Sequence, residues 1–424
     1  MYEELLSYAN SLPVIDSHEH LPTEADRVAQ TPDFFTLFSH YCKDDLTAAG
    51  LPAQGLQKLL GKGSVEEKWQ IFAPCYDHMA DGAYAHCAHL AMQRFYGMER
   101  LDSLADAQAL TDRIRAANRP GLYRKVLKDA CNIVTCMNFA GPETDEFVTP
   151  VTFVTHLAEI SNIPAIEGVA RQVGRPLPTL PRYVQALGDV LDKLKKSGSK
   201  GIKFHFAYMR PIRFLAVPAA DAERIFNRIA DEGYGWRYGA LGYEEARPLQ
   251  DYLVRRLVEL AGDLELTVVF HCGIQAGSNM RLEDSRPGGL ADLLGRYSHV
   301  RFNLLHAGLP WMDEAAIMAK QFPNLYLDMG WTHGISPELA TRAVRAYVDM
   351  VPRNKVLGFG GDYCVVEKVY GHLVLARENI AGALAEKVGD GALGEARARK
   401  WARAMLHDNA IEAYRLDVKP LADE

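Results

Sequence analysis

Two histidines stand two residues apart in Val-Ile-Asp-Ser-His-Glu-His, at His18 and His20. In an extended strand, residues i and i+2 point the same way, so both imidazoles face one side. Lys203 and His205 stand in the same relation in Gly-Ile-Lys-Phe-His. Farther along, His271 opens His-Cys-Gly, His306 opens His-Ala-Gly, and Gly-Phe-Gly-Gly runs into Asp362. Imidazole nitrogens and a carboxylate are donors for Zn²⁺ or a similar divalent ion with positions left open for water. Manganese and iron suit the same donors. A cation so held lowers the pKa of its water to about 7, and a carboxylate beside it can take the proton.

Such residues act together only if one framework gathers them. The chain carries a series of short β-type runs, at 14–20, 132–139, 165–172, 201–206, 266–273, 300–308, 325–330 and 355–362. Most are continuous apolar runs, as in parallel strands buried on both faces. Helical patterns separate most of them; in 183–198, Val184, Leu187, Val190, Leu191 and Leu194 form one stripe and Gly198 follows as a stop. Eight strands alternating with helices predict an α/β fold, a (β/α)₈ TIM barrel, with a doubly wound open sheet as the topological rival. The histidines and Asp362 then fall at or near the C-terminal strand ends, where barrel enzymes hold their active sites. The residues between the first two runs, 21–130, read as a large, mostly helical insertion capping that mouth, and a smaller insertion follows the fourth run. The whole of 1–424 reads as one barrel. After the eighth run, 371–416 looks helical.

The 424 residues carry 47 Lys+Arg against 54 Asp+Glu, a net charge of -7. That balance, without a concentrated basic patch, speaks against nucleic-acid binding. The chain shows no apolar stretch of membrane-spanning length and no signal-peptide layout at its start. Seven cysteines without framework spacing read as reduced thiols. Cytoplasmic residence is the expectation, with a small molecule as substrate and a homodimer as the common state of such barrels.

The ordered set Asp-Ser-His-Glu-His, Gly-Ile-Lys-Phe-His, His-Cys-Gly, His-Ala-Gly and Gly-Phe-Gly-Gly-Asp resembles the amidohydrolase superfamily. It is most similar to the amidohydrolase-related group of metal-dependent TIM-barrel hydrolases. His-Asp-Asn-Ala at 407–410 resembles that group's late Asn-Ala. The resemblance implies that His18 and His20 ligate the metal, with His271 as a third histidine ligand. It implies that Asp362 touches the metal and takes the water's proton, and that His306 orients the water or polarises the substrate. It leaves Lys203 open: a carboxylated bridge between two metals, or, with one metal, a partner for a substrate carboxylate with His205 beside it.

Arg210 follows the fourth run, and its fork suits an anionic substrate. Asp16 reads as structural, His86 and His89 as one helix face, and Cys272 as no nucleophile. Gly-Phe-Gly-Gly lacks the glycine spacing of a dinucleotide loop. The leading expectation is a hydrolase cleaving a C–N or C–O bond in a small acidic molecule. The alternatives are a non-hydrolytic enzyme on the same site, a decarboxylase, hydratase or uronate-type isomerase, and a metal-binding scaffold without catalysis.

Overall fold

The computed structural model describes residues 1–141, 146–231 and 239–422. Eight strands pair in chain order, each parallel to the next: β1 (Val14–Glu19), β2 (Ile133–Asn138), β3 (Val148–Phe153), β4 (Gly201–Phe204), β5 (Thr267–Phe270), β6 (Phe302–Leu304), β7 (Leu325–Asp328) and β8 (Val356–Leu357). The chain leaving β8 returns to β1: Phe359 O accepts from the Ser17 N–H at 2.9 Å, and the Asp362 N–H donates to His18 O at 2.7 Å. These bonds bring the sheet round to a nearly closed barrel with helices between the strands. The expected TIM barrel stands.

The third strand is a correction. Residues 165–172 lie in the helix Ile163–Val173, not in a strand. Asn162 caps its start, Pro164 sits in the first turn, and Gly174 ends it in the left-handed conformation (φ 70). Its buried residues, Ile166 and Val169, are one helical turn apart. The true third strand, Val-Thr-Pro-Val-Thr-Phe, contains Pro150, which offers the ladder no N–H donor. Its carbonyl still accepts from the Lys200 N–H at 3.0 Å, so the strand holds its place beside β4.

Between β1 and β2 lie the helices Glu24–Ala29, Cys42–Ala48, Ala53–Leu60, Val65–Tyr76, Ala83–Tyr96 and Leu104–Ala117. They share an apolar cluster of their own, around Phe34, Phe38, Phe72, Met92 and Leu110. The long helix Val366–Gly389, which follows β8, pins them to the barrel. Its buried Glu367 accepts from Arg27 at 2.8 Å and from the Tyr96 hydroxyl at 2.7 Å. No described helix is long and apolar enough to cross a membrane. The seven cysteines are all free thiols.

Two buried histidines brace β8. His333 Nε2 donates to Gly358 O at 2.9 Å, and its Nδ1 accepts from Asn379 at 3.2 Å. His372 Nε2 accepts from the Gly334 N–H at 2.9 Å, and its Nδ1 donates to Gly361 O at 3.0 Å. Each ring is complete as one neutral tautomer. Burial pushes His333 down to about 4 and His372 down to about 3, from an ordinary 6.5. Between those values the unfolded chain binds the protons and the folded chain does not. The stability is therefore full above pH 6.5 and lost as the pH falls toward 4, by up to about 1.4 kcal/mol per pH unit per ring. Urea midpoints taken from pH 7.5 to 4.5 should drop, and His333→Gln should flatten the slope. A midpoint that ignores pH in this window would contradict the argument.

Candidate active site

β1 and the segment after β8 meet at the C-terminal mouth of the barrel. His18 Nε2 lies 3.2 Å from His20 Nε2, and Asp362 Oδ1 lies 3.2 Å and 3.3 Å from the two nitrogens. Ligands bonded at about 2.0–2.1 Å around one tetrahedral ion keep this separation, so the donors fit a divalent cation. Burial holds His18 well below its ordinary pKa, which keeps the imidazole neutral and able to donate a lone pair. Burial works against the charge of Asp362, but attraction to His18 and hydrogen bonds from both histidines outweigh it and hold the carboxyl well below the usual range.

The packing beneath these ligands explains the local sequence. A Cβ at Gly361 would land on the Glu19 carboxylate, and one at Gly360 would sit 2.9 Å from His18 Cβ. Only Gly-Gly lets the β8 segment come this close to β1. Asp16 accepts from the His18 and Gly361 N–H groups, and Glu19 accepts from the Tyr363 N–H. Both carboxyls are pushed up by burial, Asp16 to about 7, and they brace the β1–β8 seam from below. Asp362 (φ 60), His306 (φ 61) and Trp331 (φ 68) all hold the left-handed backbone conformation, a concentration of strain at the mouth.

His271 pairs with His306 beside the three converging donors. Its Nε2 donates to Ile274 O at 2.8 Å, and its Nδ1 faces His306 Nε2 at 3.1 Å. His306 Nδ1 in turn donates to Gly330 O at 2.9 Å. Both carbonyls only accept, so each outer nitrogen carries a hydrogen. The inner nitrogens then face each other with room for a third proton that two neutral rings do not own. Burial opposes charge on either ring, pushing His306 down to about 4 and His271 well below its ordinary value. The pair therefore gains a proton only when negative charge gathers nearby, and Asp362 Oδ2 is 3.7 Å from His306 Nδ1. Among the described residues, the donors that converge as a metal site are His18, His20 and Asp362.

Lys203 is buried on β4, its ammonium 5.1 Å from the Phe139 ring centre and 5.9 Å from that of Phe153. The same two rings flank His20, and Phe139 stacks on His18 at 4.1 Å. Burial pushes the amine down to about 7, against the pull of Asp362. His205 is half-buried, with Nδ1 3.0 Å from Thr155 Oγ1. Arg210 requires a correction. Its guanidinium is buried, pairs with Asp251 at 2.5 Å, donates to Gln250 Oε1 and Arg213 O, and packs against Phe206, Phe214 and Tyr243. That fork is committed to holding its own loop and has no freedom to grip a substrate.

Tyr41, from the insertion, escaped the sequence reading. Its ring stacks on Trp331 at 4.2 Å and lies 5.6 Å from the ring of Tyr363, the residue after Asp362. Burial, and then the Asp362 charge, push the phenol well above its ordinary pKa, so it stays protonated. Trp331 in turn stands edge-on to His306 at 5.2 Å. Nothing in the spacing of Ser-His-Tyr-Cys marks these roles; only the strained φ of 38 at Tyr41 does, and that is a property of the fold. Beside the cluster opens a cavity of about 1240 Å³, lined by His20, Asn138 and Cys364 from the barrel and by Arg27, Asp33 and Lys68 from the insertion.

A family model described as Amidohydrolase matches residues 192–416. Protein fluG of Emericella nidulans is 26% identical over 182 residues, 42% of this chain and 21% of that protein. A uronate isomerase of Shouchella clausii is 22% identical over 305 residues, 65% of this chain and 61% of that protein. The chain thus spans about a fifth of one curated relative and three-fifths of the other. Among solved structures, uronate isomerase from Thermotoga maritima superposes with a TM-score of 0.80 at 15% identity, covering 97% of both chains. Glucuronate isomerase from Caulobacter crescentus gives 0.78 at 18% identity, covering 99% of this chain and 94% of that one. The expectation of a hydrolase is corrected by these matches. These two structures and the Shouchella clausii relative are named for isomerisation, which breaks no C–N or C–O bond, and they favour the alternative over the leading expectation.

Proposed function

The chain belongs to the amidohydrolase family, and from that premise we propose that it is a metal-dependent isomerase converting a small uronic acid between its aldose and ketose forms. The observation that carries the reading is the likeness to the uronate and glucuronate isomerases, with TM-scores of 0.80 and 0.78. It spans 97% and 99% of this chain, so it includes the insertion over the mouth as well as the barrel. The geometry beneath it suits a reaction made of proton transfers.

Converting an aldose to a ketose moves one proton from C2 to C1 and another from O2 to O1; no bond between heavy atoms breaks. Bound at His18, His20 and Asp362, a divalent ion, zinc in the first place, supplies Lewis acidity that polarises the carbonyl and acidifies the neighbouring C–H. Asp362, a carboxylate, takes the C2 proton and returns it to C1. Tyr41 keeps its phenolic hydrogen and donates it to the substrate oxygens. The His306–His271 pair holds a proton when the oxygens become negative. Lys203, whose ammonium makes no hydrogen bond to a described residue, holds the substrate's carboxylate.

The test is incubation of the metal-loaded protein with D-glucuronate and D-galacturonate in D₂O, followed by NMR. A ketose acid should form, and a new C1 hydrogen should exchange with solvent at least in part. The neutral parent aldoses should show kcat/KM lower by about 10²-fold, because the buried cation is then left without its anion. Lys203→Met should narrow that gap. A cleaved product, or no conversion of any uronic acid tried, would sink the proposal.

A further inference from the structure

Lys368 lies on the helix Val366–Gly389, fully buried. Its ammonium donates to Cys42 Sγ at 3.3 Å and stands 4.7 Å from the centre of the Tyr363 ring. Among the described residues it forms no ion pair with a carboxylate. Burying an ammonium against a thiol and an aromatic face is costly, and an uncharged side chain of the same length would fill the space. The charge therefore calls for a reason beyond packing.

The identity of its two contacts gives one. Cys42 follows Tyr41, and Tyr363 follows Asp362. Lys368 thus joins the next neighbour of the insertion's phenol to the next neighbour of the barrel's carboxylate. A thiol and a π face attract a cation and have little hold on a neutral chain. Tyr41 has a strained backbone (φ 38) immediately before the helix Cys42–Ala48, a conformation that persists only where its surroundings impose it. Beside Lys368, Glu367 anchors Arg27 and Tyr96 of the same insertion, so this helix holds the seam at two successive residues.

We propose that Lys368 is a positioning residue, which sets the Tyr41 ring against Trp331 and Tyr363, beside Asp362, across the seam between insertion and barrel. The role of that contact in turnover rests on the isomerase reading; its geometry does not. The stacking of Tyr41 on Trp331 supplies an independent readout, the near-ultraviolet dichroism lost between the wild-type protein and Trp331→Phe.

The experiment compares metal-loaded wild type with Lys368→Met on a uronic acid. The variant should bind the same amount of metal, lose about 10²-fold in kcat while KM stays within about threefold, and lose the Trp331 signature. Cys42→Ala, which removes the sulfur and leaves the lysine, should move both readouts the same way by less, and it decides the matter if Lys368→Met does not fold. A folded variant with wild-type kcat and an unchanged signature would overturn the proposal. If the wild type converts no uronic acid, the isomerase reading falls, and the dichroism alone decides: its loss upholds the role of Lys368 and its persistence ends it.

Discussion

Asp362→Asn should lower kcat by about 10³–10⁴-fold while leaving the barrel folded. Asparagine has the size of aspartate and tolerates the left-handed backbone that position 362 adopts at φ 60. Its amide cannot take the C2 proton. It also replaces the negative oxygen that stands 3.2 Å and 3.3 Å from the two imidazole nitrogens with a neutral group, weakening the grip on a divalent ion. Two measurements separate these losses. Metal content of the purified variant reports the grip, and exchange of the substrate's C2 hydrogen with solvent, measured with metal in excess, reports the base. Since attraction to the imidazoles and their hydrogen bonds outweigh the cost of burying this charge, the melting temperature should fall modestly while the barrel stays folded. Turnover within tenfold of wild type would remove Asp362 from the chemistry.

What the sequence made legible follows from where each signal resides. Seven strands could be read because buried parallel strands are apolar runs, and the C-terminal ends of β1 and the β8 segment carried His18, His20 and Asp362 as misplaced polar residues. The third strand was hidden because Pro150 broke its pattern, while a helix nearby presented Ile166 and Val169 in a short apolar run that imitated it. Arg210 misled for a related reason: a loop arginine near a strand end looks alike whether its carboxylate is a substrate or Asp251, and only the fold shows which. Tyr41, Trp331 and Lys368 left no trace at all. Their work depends on a meeting between the insertion and the barrel, and no local spacing records a contact between residues some three hundred positions apart. His271 shows a further limit. A histidine at a strand end points toward the mouth, yet the carbonyl of Ile274 decides which way its nitrogens face.

Removing the metal should be as damaging as removing the base, and it should be reversible. Chelation of the wild-type protein should cut turnover by about 10³-fold or more, and one equivalent of zinc or manganese should restore it. Binding only to the folded state also stabilises it, by about 2.7 kcal/mol when free metal is a hundredfold above its dissociation constant, so the stripped protein should melt earlier. His18→Ala should share the loss of turnover without the recovery. It takes away a buried neutral ligand, leaves two donors where three converged, and opens a gap against the Phe139 ring that the imidazole stacked on. His20→Ala, at the more exposed rim, removes a donor from a site water can reach and should regain part of its activity at high metal. The number of equivalents needed for full recovery also tests Lys203. Its amine lies against two phenylalanine rings, which suits an ammonium awaiting a carboxylate and gives no donor for a second ion, so recovery should be complete near one metal per chain. A requirement for two would mean that Lys203 bridges metals instead of holding substrate, and the discrimination between uronic acids and neutral sugars would then have to come from elsewhere in the cavity.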